Sequence, residues 1–240
     1  MLPFIGISFP FLRASDAMIG ANVSTLSTNY ISTLTPEEIE VLRDYTNWGY
    51  IFLAKVFTNR LDNNDIFTFG DDDYERKISQ IITILENAPP LDEPIKVFHG
   101  TKIHETNNMF DSCGKKKCDV RGLFLSTTSN KDVALTYSKG ECCLYEIELQ
   151  DGVKCLDVSS VSAFEEESEI LLPPMSFFEC VGERIEYDVH YIDTNLNKPK
   201  TKAEVRIISL KTCASGRYST VMRMNLVENH TLDKILKNLQ

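Results

Sequence analysis

Phe164-Glu165-Glu166-Glu167-Ser168-Glu169-Ile170-Leu171-Leu172-Pro173-Pro174 changes character halfway along its length. Four of its first six residues are carboxylates, and the next three are aliphatic. If Glu167 to Leu172 is a strand, its side chains alternate between two faces. Glu167, Glu169 and Leu171 then share one face, and Ser168, Ile170 and Leu172 the other. Two carboxylates project side by side from a strand whose reverse face is built for a core. Pro173 and Pro174 end the strand, because proline brings no N–H to a ladder. A strand presenting Glu167 and Glu169 to a ligand is one reading. A charged turn leading into a core strand is the other, and on this stretch alone the run of carboxylates favours it.

Strand candidates lie on both sides. Ile95 to His99, Gly122 to Thr128, Leu144 to Leu149 and Val153 to Val158 precede the stretch. Phe177 to Val181, Arg184 to Tyr191 and Ala203 to Leu210 follow it, with a hairpin loop at Asn195 to Pro199. Asn130 to Ser138 reads as a short helix capped by Asn130. Further upstream the pattern becomes helical. Thr35-Pro36-Glu37-Glu38 is a helix start, with Thr as cap, Pro at the first position and Glu at the third. Ile39, Leu42 and Tyr45 recur at helical spacing until Asn47-Trp48-Gly49 breaks it. Tyr50 to Phe57 suggests a second, buried helix, and Asp62 to Asp73 an acidic loop. A third helix runs from Tyr74 to Asn87, with Ile78, Ile81, Ile82 and Leu85 on one face. Thr231 to Leu239 is an amphipathic tail. Helices first and strands after, without βαβ alternation, predict an α+β fold. Residues 1–33 read as an N-terminal arm without periodicity. Residues 34–240 read as one domain: a helical part over 34–90, a β core over 95–210 and a tail helix over 231–239.

Composition narrows the function. The chain has 240 residues, 42% of them hydrophobic and 25% charged, which suits a folded domain with a sizeable core. A formal charge of −10 argues against gripping nucleic acid by bulk charge. Lys115-Lys116-Lys117 is the one basic run and reads as a solvated loop. No apolar run approaches a membrane span, and Leu2 to Leu12 lacks the basic flank of a secretory signal, so neither membrane partner nor export is expected. Seven scattered cysteines point to reduced thiols and an intracellular, cytoplasmic setting. Cys113 and Cys118 can clip a loop, but no second pair completes a zinc site, so no metal is expected.

Three segments carry chemistry. Val97-Phe98-His99-Gly100-Thr101 ends a strand on a histidine, and the glycine lets a ligand approach the backbone. On a strand, Phe124, Ser126 and Thr128 offer an aromatic platform and two hydroxyls to one side. The third segment is the carboxylate stretch itself. In this order the three resemble the ADP-ribosyltransferase family of bacterial toxins and vertebrate ecto-enzymes. That family carries an Arg or His on its first core strand, Ser-Thr-Ser on the second and Glu-x-Glu or Gln-x-Glu on a later one. Phe-Leu-Ser-Thr-Thr-Ser from Phe124, the continuation Glu-Ile-Leu-Leu-Pro from Glu169, the helix opening at Leu34, and Phe164 three residues before Glu167 are also similar. The likeness covers roughly residues 34–210. It departs from the Glu-x-Glu subgroup at His99, where Arg is usual, and at Ser-Thr-Thr for Ser-Thr-Ser.

The resemblance implies a split mixed and antiparallel β core and a reaction. ADP-ribose passes from NAD⁺, used as a substrate, to an unidentified target protein, most simply to an arginine. The expected roles follow from the matching positions. Glu169 stabilises the ribose cation, Glu167 orients and deprotonates the acceptor, and Ser126 holds Glu169. His99, Gly100, Thr101, Phe124, Thr128 and Tyr137 contact the cofactor, Gly100 through its backbone. Phe164 and Glu167 recognise the target, inside its own cell or a host's. Imidazole lacks arginine's donor fork, so His99 is expected to bond the adenosine ribose and not to brace phosphate and strands. A fold retained as a binding module, or a glycohydrolase with water as acceptor, are the competing functions.

Overall fold

A computed structural model describes residues 14–49, 71–102, 118–121, 124–138, 142–174 and 176–212. The expectations for Leu2 to Leu12, Tyr50 to Phe57, Cys113 to Lys117 and Thr231 to Leu239 lie outside those residues. Four α-helices are described: α1 (Ala14–Ile31), α2 (Pro36–Asp44), α3 (Asp71–Asn87) and α4 (Lys131–Tyr137). Eight strands of the sheet are described: β1 (Ile95–Lys102), β2 (Cys118–Arg121), β3 (Leu125–Thr128), β4 (Cys142–Leu149), β5 (Leu156–Asp157), β6 (Glu169–Leu172), β7 (Ser176–Asp193) and β8 (Lys198–Thr212). Their order is β2-β7-β8-β4-β1-β3-β6-β5. Among the described strands only β4 and β8 run parallel, so the sheet is mixed and the fold is α+β.

The helix starts follow their local chemistry. Thr35 closes a full capping box with Glu38: Thr35 N donates to Glu38 Oε2 at 2.8 Å, and Glu38 N donates back to Thr35 Oγ1 at 3.3 Å. The helix does not break at Asn47. It loosens into a π-helical turn over Tyr45–Gly49, a distortion frequent at functional sites. The predicted face of α3 is buried as expected, with Ile84 added to Ile78, Ile81, Ile82 and Leu85. Residues Ala14–Ile31 form a helix where no helical period is legible. The reason is Ser27, a polar residue on the buried face between Val23 and Ile31. Its hydroxyl accepts from Asp157 N at 2.9 Å, so a position that reads as surface is interior.

The two expected strands at Phe177 to Val181 and Arg184 to Tyr191 are one, β7, bent by a bulge between Cys180 and Gly182. It pairs with β8 across the turn at Asn195 to Asn197. Val153 to Val158 contributes a bridge from Lys154 to Pro90 and the two-residue β5.

Two cores meet at β6. Ile170 and Leu172 pack with Val97, Tyr145, Ile147 and Phe178 on one face of the sheet. Leu171 points the other way, among Leu42, Tyr45, Ile78, Ile84 and Phe124 from the helical side. A strand buried on both faces reads as a continuous apolar run, and Ile170-Leu171-Leu172 is such a run. Glu169, two residues before Leu171, faces the helical core. A third cluster joins Ala134 and Leu135 of α4 to Leu144, Val205 and Ile207. Strand β1 pairs with β4 along eight residues but with β3 only at Phe98 and Thr128. The sheet parts beyond that pair, and a cleft lies in the parting.

Candidate active site

The cleft has a volume of about 540 Å³, within the usual range for small-molecule sites. Its walls come from β1, β3, α4, the π-helical turn and the segment that begins at Phe164. Nine of the ten residues singled out from the sequence line it: His99, Gly100, Phe124, Ser126, Thr128, Tyr137, Phe164, Glu167 and Glu169. Thr101 does not. It is buried opposite Cys143 in the β1–β4 pairing, so the expected cofactor contact from its side chain is withdrawn.

Glu169 opens β6 and is only 6% exposed. Burial pushes its carboxyl up to about 7, against a hydrogen bond from Ser126 that lowers it, and the charges of Glu167 and Asp157 add to the rise. Ser126 is the one residue of β3 whose side chain is exposed, between buried Leu125 and Thr127. Alternation on that short strand therefore delivers its hydroxyl to the cleft and to Glu169. Burial also raises the Tyr45 hydroxyl well above the usual tyrosine range, with the Glu169 charge second, which places the π-helical turn beside the carboxylate. Tyr45 meets Phe124 edge-on, ring centroids 5.7 Å apart. Phe124 itself precedes β3 and is not part of the strand.

Glu167 is not on the strand. Glu165–Glu167 form a single 3₁₀ turn, and Ser168 follows in the left-handed region at φ 48°. The expected side-by-side pair on one strand face is therefore replaced by a turn and a strand start that both reach the cleft. Thr128 fixes the turn: its Oγ1 donates to Glu167 O at 2.7 Å. Tyr137 Oη donates to Glu167 Oε1 at 2.5 Å. Burial raises the Glu167 carboxyl, Tyr137 opposes that, and Glu166 adds to it. Glu165 and Glu166 are exposed and take no part in the cleft.

His99 lies inside β1, not at its end. Its Nδ1 is 2.7 Å from Ser126 O. A carbonyl can only accept, so Nδ1 carries the proton. The ring stacks on Tyr145, centroids 5.9 Å apart and planes 10° from parallel. His99 thus braces β1 against β3 where they part, a scaffold task not expected of an imidazole. Gly100 is required for a different reason than expected. A Cβ there would lie 1.9 Å from Ala134 O, so the backbone that approaches it is α4.

The sequence reading missed Thr46 and Asn47, which line the cleft from the π-helical turn. The signal was available, since polar residues directly follow a well-capped amphipathic helix and precede a glycine. Among the described residues no group of three or more His, Cys, Asp or Glu side chains is placed to hold a metal.

The architecture is that of ADP-ribosylating toxins. Plx2a, an ADP-ribosyltransferase toxin from Paenibacillus larvae, superposes with a TM-score of 0.62 at 14% identity, over 84% of this chain and 98% of its own. The C3 exoenzyme of Clostridium limosum gives 0.58 at 17%, over 83% and 95%. The enzymatic component C2-I of the Clostridium botulinum C2 toxin gives 0.56 at 19%, over 80% of this chain and 47% of that one. No curated protein matches in sequence. The ADP-ribosyltransferase exoenzyme profile, however, matches residues 24–210, and this chain belongs to that family.

Proposed function

We propose that this protein is an NAD⁺-dependent mono-ADP-ribosyltransferase that modifies arginine on a protein target inside a cell. The observation that carries the reading is the buried Glu169, hydrogen-bonded by Ser126 in a cleft whose rim holds Glu167. As the bond between ribose C1′ and nicotinamide lengthens, its electron pair leaves with the nicotinamide nitrogen and positive charge builds on the ribose. A fixed carboxylate in a water-poor cleft stabilises that charge, which is the role of Glu169. A guanidine nitrogen then forms the new bond to C1′, and Glu167 orients it and receives the proton it sheds. His99 and the Gly100 backbone lie where the cofactor enters the parting of β1 and β3, and Phe124 and Thr128 shape its wall. Phe164, 41% exposed beside Glu167, is placed to meet the target.

Incubating the protein with NAD⁺ and agmatine, a small guanidine, tests this. Nicotinamide release with an ADP-ribosylated agmatine adduct by mass spectrometry is expected. Free ADP-ribose without adduct would mean a glycohydrolase. No release at all would mean a fold kept for binding.

A further inference from the structure

Glu167 sits on a turn that buries none of its own residues, yet its carboxylate is held. The bond from Tyr137 Oη to Glu167 Oε1 is anchored at both ends. Tyr137 closes α4, and α4 is fixed: Ala134 bears on Gly100, Thr194 N donates to Thr136 Oγ1 at 3.1 Å, and Lys202 Nζ donates to Ser138 O at 2.7 Å. On the other side, Thr128 holds the Glu167 carbonyl, and Glu167 N donates to Phe164 O at 3.0 Å. A glutamate at a cleft rim otherwise samples several rotamers about its side-chain torsions. With Oε1 fixed, Oε2 is presented in one direction.

We propose that Tyr137 is a positioning residue for the acceptor step, its hydroxyl holding Glu167 so that Oε2 meets the incoming guanidinium. The role rests on the transferase reading above and replaces the cofactor contact expected of Tyr137 from sequence. Hydrogen bonding to a carboxylate favours its charged form, and a guanidinium is drawn to that form. The groups that bear on Glu167 are Tyr137 from α4, Glu166 from its own turn and Glu169 from β6. His99 of β1 and Tyr45 of the π-helical turn line the same cleft. Among the causes acting on the Glu167 carboxyl, the Tyr137 hydroxyl is the one that opposes the rise.

Tyr137→Phe in the full chain keeps the ring and removes the donor. Transfer to agmatine is expected to fall about tenfold in kcat, the scale of one charge-assisted hydrogen bond. Transfer should fall more than the slow NAD⁺ hydrolysis does, with the loss in kcat and not in the KM for NAD⁺. The acid limb of transfer should move to higher pH, and NMR titration of the Glu167 carboxyl should move with it. A raised KM for NAD⁺, or equal loss of transfer and hydrolysis, puts Tyr137 in the cofactor site and overturns the proposal. An unchanged Glu167 titration overturns it without reference to activity. If the wild type releases no nicotinamide, the transferase reading fails and the acceptor-step role falls with it. The titration still decides whether Tyr137 holds the carboxylate.

Discussion

Glu169→Gln should make this protein more stable and less active, and the stability gain should depend on pH. The carboxyl lies at about 7 in the folded chain against 4.5 for the free group. A raised folded value means that the folded chain holds the proton more tightly than the unfolded one. Below about pH 4.5 both states are protonated and the buried acid carries no ionisation penalty. Between 4.5 and 7 the unfolded chain ionises first, so stability falls, and above about 7 the full penalty applies. The difference of 2.5 pH units corresponds to about 3 kcal/mol at about 1.36 kcal/mol per unit. Glutamine reproduces the protonated carboxyl, and its carbonyl still accepts from Ser126. The variant's melting temperature should match the wild type near pH 4 and exceed it by about 6–12 °C at pH 8, at about 2–4 °C per kcal/mol for a domain of this size. Transfer should drop about 10²–10³-fold, the scale of losing one preorganised electrostatic stabiliser. Differential scanning calorimetry at the two pH values, with nicotinamide release alongside, reads both. The same melting difference at pH 4 and pH 8 would refute the reasoning, because it would mean that ionising Glu169 costs the fold nothing.

The other expectations are simpler. Glu167→Ala should abolish transfer to agmatine while leaving slow NAD⁺ hydrolysis; equal loss of both would remove its acceptor role. Ser126→Ala removes the hydrogen bond that lowers the Glu169 carboxyl, so the acid limb of nicotinamide release should move upward, and an unmoved limb would detach Ser126 from Glu169. Gly100→Ala forces a methyl to 1.9 Å from Ala134 O and should destabilise the fold by about 3 kcal/mol or more, measured as a urea midpoint shift without a change in slope.

Much of this architecture follows from local chemistry. The Thr35 capping box, the apolar face of α3, the Asn130 cap of α4 and the core-facing side of β6 at Ile170 and Leu172 are set by spacing and residue type. Asn130 Oδ1 accepts from Asp132 N at 2.9 Å, as its position implies. What escaped the sequence is decided by contacts made at a distance. Strict alternation placed Glu167 on β6, but Thr128, 39 residues earlier, pins its carbonyl in a turn, and Ser168 takes a left-handed conformation that its type does not announce. Buried Ser27 hides α1 in the same way. Gly100 reads as a ligand approach because a glycine does not say which backbone comes near it.

The two carboxylates also belong to regions of unequal firmness. Glu169 begins a strand clamped by two hydrophobic clusters, and Glu167 stands on an exposed turn held by a few polar contacts. Local opening proceeds from weakly packed segments long before global unfolding. Mild denaturant should therefore frustrate acceptor modification first and leave nicotinamide cleavage intact until the whole domain melts. On the proposed reading, transfer to the acceptor is then the more fragile property, and bond breaking lasts as long as the core.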